Sequence, residues 1–116
     1  MYWSQKAGIA QYFTPESVLT PSESGQGQKI TRCPNCRVAL WSNYPQAGDV
    51  VRFVRVGTLE RPERLPPDIH IFVRSKLPWV ILPPGAHAVD ALYDPASFWP
   101  PESLERRIAL RSKRGV

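Results

Sequence analysis

The sequence lacks several patterns on which common enzyme classes depend. It contains only two histidines and two cysteines, and no Ser/His/Asp arrangement or pair of carboxylates at catalytic spacing. Gly25 and Gly27 lie in SESGQGQ without the flanking strand and helix that a nucleotide-binding loop needs. No stretch approaches the roughly 20 apolar residues that span a bilayer. No charged region followed by an apolar run marks a signal peptide. These absences predict a soluble, cytoplasmic protein.

Long uninterrupted helices are excluded almost throughout, because 13 of the 116 residues are prolines, about twice the average usage. About a quarter of the chain is Leu, Ile, Val or Phe, which is enough for one hydrophobic core. The length suits one domain. We therefore expect a mainly β protein, with residues 1–100 as the domain and residues 101–116 as a helix with a basic tail.

The net charge of +5 comes from the C-terminus, since residues 1–105 contain equal numbers of basic and acidic side chains. The excess is carried by Arg106, Arg107, Arg111, Lys113 and Arg114. Such a tail fits a solvated chain end, which we favour, or contact with an acidic partner. Nucleic acid is not expected, because these arginines are not interleaved with aromatic residues.

Alternating and β-branched segments predict short strands. They are an edge strand within Met1–Phe13, strands at Lys29–Arg32 and around Val38, Leu40 and Trp41, a strand at Asp49–Val56, and short strands at Ile69–Arg74 and Trp79–Leu82. The polar segment Thr20–Gln28 predicts a surface loop. A second loop is expected over Ala86–Trp99, anchored by its aromatic residues.

One segment, Pro101–Ser112, has the pattern of a helix. Prolines precede it, glutamates occupy its first turn and arginines its last, all of which favour a helix at this position. Its buried side is expected to contain Leu104 and Ile108, which are four residues apart.

The motif Cys33-Pro34-Asn35-Cys36 lies between two predicted strands and is the main candidate for chemistry. Two thiols on a tight turn favour half of a tetrahedral zinc site. Alternatives are a redox pair, which normally needs a helix after the first cysteine, and two ordinary core residues. His70 and His87 are not in a ligand-spaced pair, and His70 is better explained as a hydrogen-bonded histidine.

Three stretches resemble the glutathione-dependent formaldehyde-activating enzyme family, which includes the centromere protein V domain. They are CPNCRVALWSNY at Cys33–Tyr44, VRFVRVGTL at Val51–Leu59 and PPDIHIFVRSKLPWVILPPG at Pro66–Gly85. The resemblance implies a zinc-containing, mainly antiparallel β-tent around a zinc knuckle. It also implies a carbon–sulfur lyase class acting on a glutathione–formaldehyde adduct, and it places Cys33 and Cys36 in the family's structural zinc site.

The catalytic site implied by the resemblance is missing, because similar proteins bind the catalytic zinc through an earlier C-x-C-x-x-C set. Similar proteins also complete the structural site with an upstream C-x-C pair. The chain begins after both sets and resembles the C-terminal half of the family, with Arg37 where many members have glycine. We therefore expect no catalytic residue, a truncated domain that is inactive alone, and a homodimer that shares zinc. The rival interpretation is a small zinc-ribbon-like interaction module whose basic tail binds an acidic or nucleic-acid partner.

Overall fold

The computed structural model describes residues 2–5 and 14–113. The chain divides into two compact units, Met1–Pro66 and Pro67–Val116. Within the described part of the chain, no helix is both long and apolar enough to cross a membrane.

The first unit is built on an antiparallel sheet. Its strands are β1 (Tyr2–Gln5), β2 (Glu16–Thr20), β3 (Gln28–Arg32), β4 (Ala39–Asn43) and β5 (Val51–Val54), in the spatial order β1-β5-β4-β3-β2. Strands β2, β3 and β4 each pair with the next strand in the sequence. Strand β1 pairs with the edge of β5 that faces away from β4. The prediction of a mainly β protein with antiparallel strands is confirmed.

The core of this unit lies on the central strands. The buried apolar side chains are Ile30, Trp41, Val51 and Val54. Trp41 lies opposite Val54 on β5 and opposite Thr31 on β3, so these three residues share one face. The other face carries Ile30 opposite the fully buried Ser42. Burial therefore fixes the register of β3, β4 and β5.

Most predictions for this unit are confirmed. β1 lies at one edge of the sheet, as expected for the segment Met1–Phe13, although residues 6–13 lie outside the described residues. The predicted Asp49–Val56 strand is shorter, because residues Gly48–Val50 form a 3-10 turn before β5. The loop expected over Thr20–Gln28 joins β2 to β3, and both of its glycines have positive φ. The sequence analysis did not predict β2.

Two strand predictions for the second unit are wrong. Ile69–Arg74 contains only an isolated bridge from His70 to Ala88 and then a 3-10 turn at Val73–Ser75. Trp79–Leu82 forms no strand, and Trp79 and Ile81 are 75% and 89% exposed. Alternation indicates a strand only where a neighbouring strand is available to complete the ladder. Here the backbone N–H groups of residues 72–74 donate instead to loop carbonyls at residues 89–91.

The predicted C-terminal helix is confirmed as α2 (Pro101–Lys113), after the short helix α1 (Pro95–Phe98) within the expected loop. Its predicted buried face is wrong in part, because Leu104 is half-buried but Ile108 is 65% exposed. The helix buries Ser103, and the next turn on that side brings Arg107 over the Trp99 ring, 5.5 Å from its centroid. The apolar stem of an arginine side chain can cover an aromatic ring of this kind.

Candidate metal site

The two cysteines lie on the turn between β3 and β4. Two backbone hydrogen bonds close this turn: the Cys33 N–H donates to the Val38 carbonyl at 3.0 Å, and the Arg37 N–H donates to the Cys33 carbonyl at 2.9 Å. The predicted strand, turn and strand around the CPNC motif is therefore confirmed. A hairpin whose two strands are both paired holds the cysteines on a defined backbone.

Arg37 adopts a left-handed backbone conformation, with φ of 66°. This region is unfavourable for residues with a Cβ atom and is normally occupied by glycine. Two side-chain contacts accompany the strained conformation. Arg32 Nη1 donates to the Arg37 carbonyl at 2.9 Å, and the Arg37 guanidinium pairs with the Glu16 carboxylate on β2. The turn is thus tied to the edge strand of the sheet.

Both cysteines are free thiols, with Cys33 half-buried and Cys36 exposed. The backbone N–H groups of Cys36 and then Asn35 donate to the Cys33 sulfur and lower the pKa of that thiol. A smaller lowering comes from the Cys36 side chain and from the charge of Arg37. Since hydrogen bonds to sulfur favour its anionic form, the turn stabilises Cys33 as a thiolate, the form that binds metal.

The residues present fit only part of a zinc site. Among residues 2–5 and 14–113, no group of three or more Cys, His, Asp or Glu side chains could hold a metal ion. A structural zinc takes four ligands, and the sequence has two cysteines in total. His70 and His87 belong to the second unit. There the backbone N–H of His70 donates to the backbone carbonyl of His87, and the His87 ring packs near the Phe98 ring.

A buried arginine in the sheet was missed by the sequence analysis. Arg52 on β5 is 8% exposed, and its guanidinium carbon lies 4.3 Å from the centroid of the Trp41 ring. Burial lowers the pKa of Arg52, and its Nη1 has no hydrogen-bond partner. The available signal was alternation in DVVRFVRV, which places Arg52 and Val54 on one face. That signal does not reveal which face is buried.

The sequence profile of one protein family matches residues 4–75, and its description is glutathione-dependent formaldehyde-activating enzyme. The chain belongs to this family. The match contains the whole described sheet except the start of β1, together with the cysteine turn, and it continues past Pro66 into the second unit. Searches of curated proteins and of solved structures found no match.

Membership in the glutathione-dependent formaldehyde-activating enzyme family confirms the resemblance noted in the sequence. The matched range ends at Ser75, so the rest of the PPDIHIFVRSKLPWVILPPG stretch lies beyond it. Cys33 and Cys36 lie within the match.

Proposed function

We propose that this chain is a zinc-binding member of the formaldehyde-activating family, of the carbon–sulfur lyase class, that does not catalyse the family reaction alone. The family match over residues 4–75 is the observation that carries this assignment. In that reaction a glutathione thiol adds to the carbonyl carbon of formaldehyde. A carbon–sulfur bond forms, and the thiol proton moves to the oxygen.

Cys33 and Cys36 would hold the zinc in a structural role. Their position on a hairpin turn supports this role, because backbone donors favour the thiolate and no helix follows the first cysteine. The same feature argues against a thioredoxin-like redox pair. The two sulfurs fill half of a tetrahedral coordination shell, so they do not complete a site within one chain.

The absence of catalysis follows from the ligand count. An electrophilic metal centre that stabilises developing charge needs its own protein ligands, and both cysteines of the sequence are assigned to the structural site. The ligand class that family membership favours is a glutathione-type thiol adduct. A cytoplasmic location is part of the proposal, because a reducing compartment keeps paired thiols reduced.

We further propose a β-tent-like arrangement for residues 1–100, followed by a helix and basic tail over residues 101–116. Continuation of the family match across Pro66 supports treating the two compact units as parts of one family domain. The rival interpretation, an interaction module whose basic tail binds a partner, gains little support from α2. Two arginines of this helix make contacts within the chain: Arg107 covers the Trp99 ring, and Arg106 donates to the Ser103 hydroxyl at 2.9 Å.

Metal analysis tests the zinc-binding part of the assignment. The purified full chain, reduced and dialysed to equilibrium against buffer containing zinc, should retain zinc above the buffer concentration. A Cys33→Ser/Cys36→Ser variant should retain none, while its far-ultraviolet circular dichroism spectrum stays that of the parent. Equal zinc retention by both proteins would show that the metal is not held at this turn.

A further inference from the structure

We propose that Cys33 and Cys36 of one chain bind a single Cu(I) ion as a two-coordinate thiolate site. A structural zinc takes four ligands, whereas the cysteine turn offers two. The inference goes beyond the proposed function, since it keeps the family assignment and gives the same turn a metal whose coordination two ligands can complete.

Cu(I) differs from zinc in the number and kind of ligands that it needs. It is a soft, closed-shell ion that thiolate ligands select, and two thiolates on opposite sides of the ion complete its coordination. Among residues 2–5 and 14–113, no cluster of three or more Cys, His, Asp or Glu side chains could hold a metal ion. The shortage of ligands that leaves zinc incomplete therefore does not count against Cu(I).

The turn holds the two sulfurs close together on a fixed backbone. The Cys36 side chain and the Cys36 backbone N–H both hydrogen-bond to the Cys33 sulfur. The Cys33 N–H donates to the Val38 carbonyl at 3.0 Å, which closes the turn at the end of the β3–β4 hairpin. A pair of ligands that is already in place loses little conformational freedom when it binds an ion.

The local charge suits the complex that would form. Cu⁺ displaces one proton from each of the two thiols, two copper–sulfur bonds form and no electron is transferred, so the centre carries a net charge of −1. Around the turn, Arg32 donates to the Arg37 carbonyl and the Arg37 guanidinium pairs with Glu16. Two arginines and one glutamate leave one net positive charge, which balances the charge of the centre.

The pair is open to a copper carrier. Cys36 is exposed and Cys33 is half-buried, and residues 35–38 are all exposed. A small thiolate complex of Cu(I) can therefore reach the Cys36 sulfur and pass its ion to the pair by exchange of one sulfur ligand for another. A reducing compartment keeps both thiols reduced and copper in its monovalent state.

Competition with a coloured Cu(I) chelator tests the site. The full chain is reduced, freed of reductant and titrated into the bicinchoninate complex of Cu(I) in oxygen-free buffer with ascorbate. It should withdraw one copper ion per chain, and excess Zn²⁺ should not displace that ion. Native mass spectrometry should show a monomer with one copper, and X-ray absorption at the copper edge should show two sulfur neighbours.

A variant with the same number of cysteines tests the spacing. Ser24 is exposed in the loop between β2 and β3, at the opposite end of β3 from Cys33. Cys36→Ser/Ser24→Cys therefore keeps two thiols in the chain but separates them. Its monomer should bind Cu(I) at least about 100-fold more weakly than the parent, because the second ligand is no longer held beside the first. Equal affinities would show that the turn does not form the site.

A second pair of variants tests the charge argument without altering a ligand. Arg32→Gln should weaken Cu(I) binding by about threefold, the effect expected of one partly solvated charge. Arg64→Gln removes an exposed arginine at the end of the 3-10 turn Pro62–Arg64 and should leave the affinity unchanged. Equal effects of the two substitutions would contradict a specific charge contribution at the cysteine turn.

The outcomes separate this inference from the proposed function. Zinc retained at the turn with no copper withdrawn from the chelator would overturn the inference alone. Copper bound with no zinc retained would support it and remove the zinc-binding part of the proposed function. Binding of neither metal would overturn both. Three sulfur neighbours in a copper-dependent dimer, or equal copper binding by Cys33→Ser/Cys36→Ser, would also overturn the two-coordinate site.

Discussion

The Arg37 guanidinium pairs with the Glu16 carboxylate, which connects the cysteine turn to the edge strand β2. This contact accompanies a left-handed backbone at Arg37, a conformation that glycine normally occupies. Both side chains of the ion pair are largely exposed, and exposed pairs contribute at most about 1 kcal/mol. The contact offsets part of the cost of placing a non-glycine residue in this conformation.

Arg37→Gly should give a more stable protein than Arg37→Ala, by about 1 kcal/mol in the free energy of unfolding. Both substitutions remove the ion pair with Glu16, so their difference isolates the backbone cost. Urea denaturation of the two variants measures it. Equal stabilities would mean that the positive φ at this position costs nothing.

Arg52→Met should be at least as stable as the parent. Arg52 is a buried cation whose Nη1 has no partner, and replacing a poorly compensated buried charge with an apolar side chain of similar length is often neutral or stabilising. Arg52→Ala should be about 2 kcal/mol less stable than Arg52→Met, because it leaves a cavity beside Trp41. A loss above 1 kcal/mol for the methionine variant would reveal a favourable contact of the guanidinium beyond the Trp41 ring.

The lowered pKa of Cys33 predicts a pH dependence of stability in the metal-free protein. The folded thiol ionises at lower pH than the unfolded thiol, whose ordinary pKa is 9.0. The free energy of unfolding should therefore rise as pH increases from the folded pKa towards 9.0, and this contribution should be lost as pH falls through the folded value.

Alkylation rates provide the direct measurement of this shift. In a Cys36→Ser variant, which keeps the backbone N–H of residue 36, the folded chain should react with iodoacetamide with a lower midpoint pH than the urea-unfolded chain. Coincident midpoints in the two states would show that the turn does not favour the thiolate.

How far the sequence predicts the fold differs between the two units. The hairpin around the cysteines was predictable because the Pro-Asn spacer encodes a turn and β-branched residues flank it. β2 was missed because Ser17, Val18 and Leu19 form an edge strand with little burial. Ile69–Arg74 alternates like a strand, but its backbone bonds to a loop. Ladder partners are set by tertiary structure, which alternation alone does not specify.

Prediction of the candidate site from the sequence was limited in the same way, by contacts that depend on tertiary structure. Cysteine spacing identified the turn and both thiols. The contacts of Arg37 with Glu16 and of Arg52 with Trp41 depend on cross-strand neighbours that are distant in sequence. A ligand count from composition indicated that two cysteines cannot close a zinc site, and the described part of the chain offers no additional cluster.

The orientation of α2 predicts unequal effects of two substitutions four residues apart. Ile108→Glu should change the free energy of unfolding by less than about 0.5 kcal/mol, because Ile108 is largely exposed. Leu104→Glu should cost more, since Leu104 is half-buried and a carboxylate there loses hydration. Thermal denaturation compares the two variants, and equally large losses of stability at residues 104 and 108 would place the buried face where the sequence analysis expected it.

The rate of S-hydroxymethylglutathione formation tests most directly the central proposal, namely that this chain does not catalyse the family reaction alone. The zinc-loaded full chain should give no rate above the spontaneous reaction of glutathione with formaldehyde, and Cys33→Ser should give the same background. A zinc-dependent turnover that Cys33→Ser abolishes would contradict the account and make the cysteine turn catalytic.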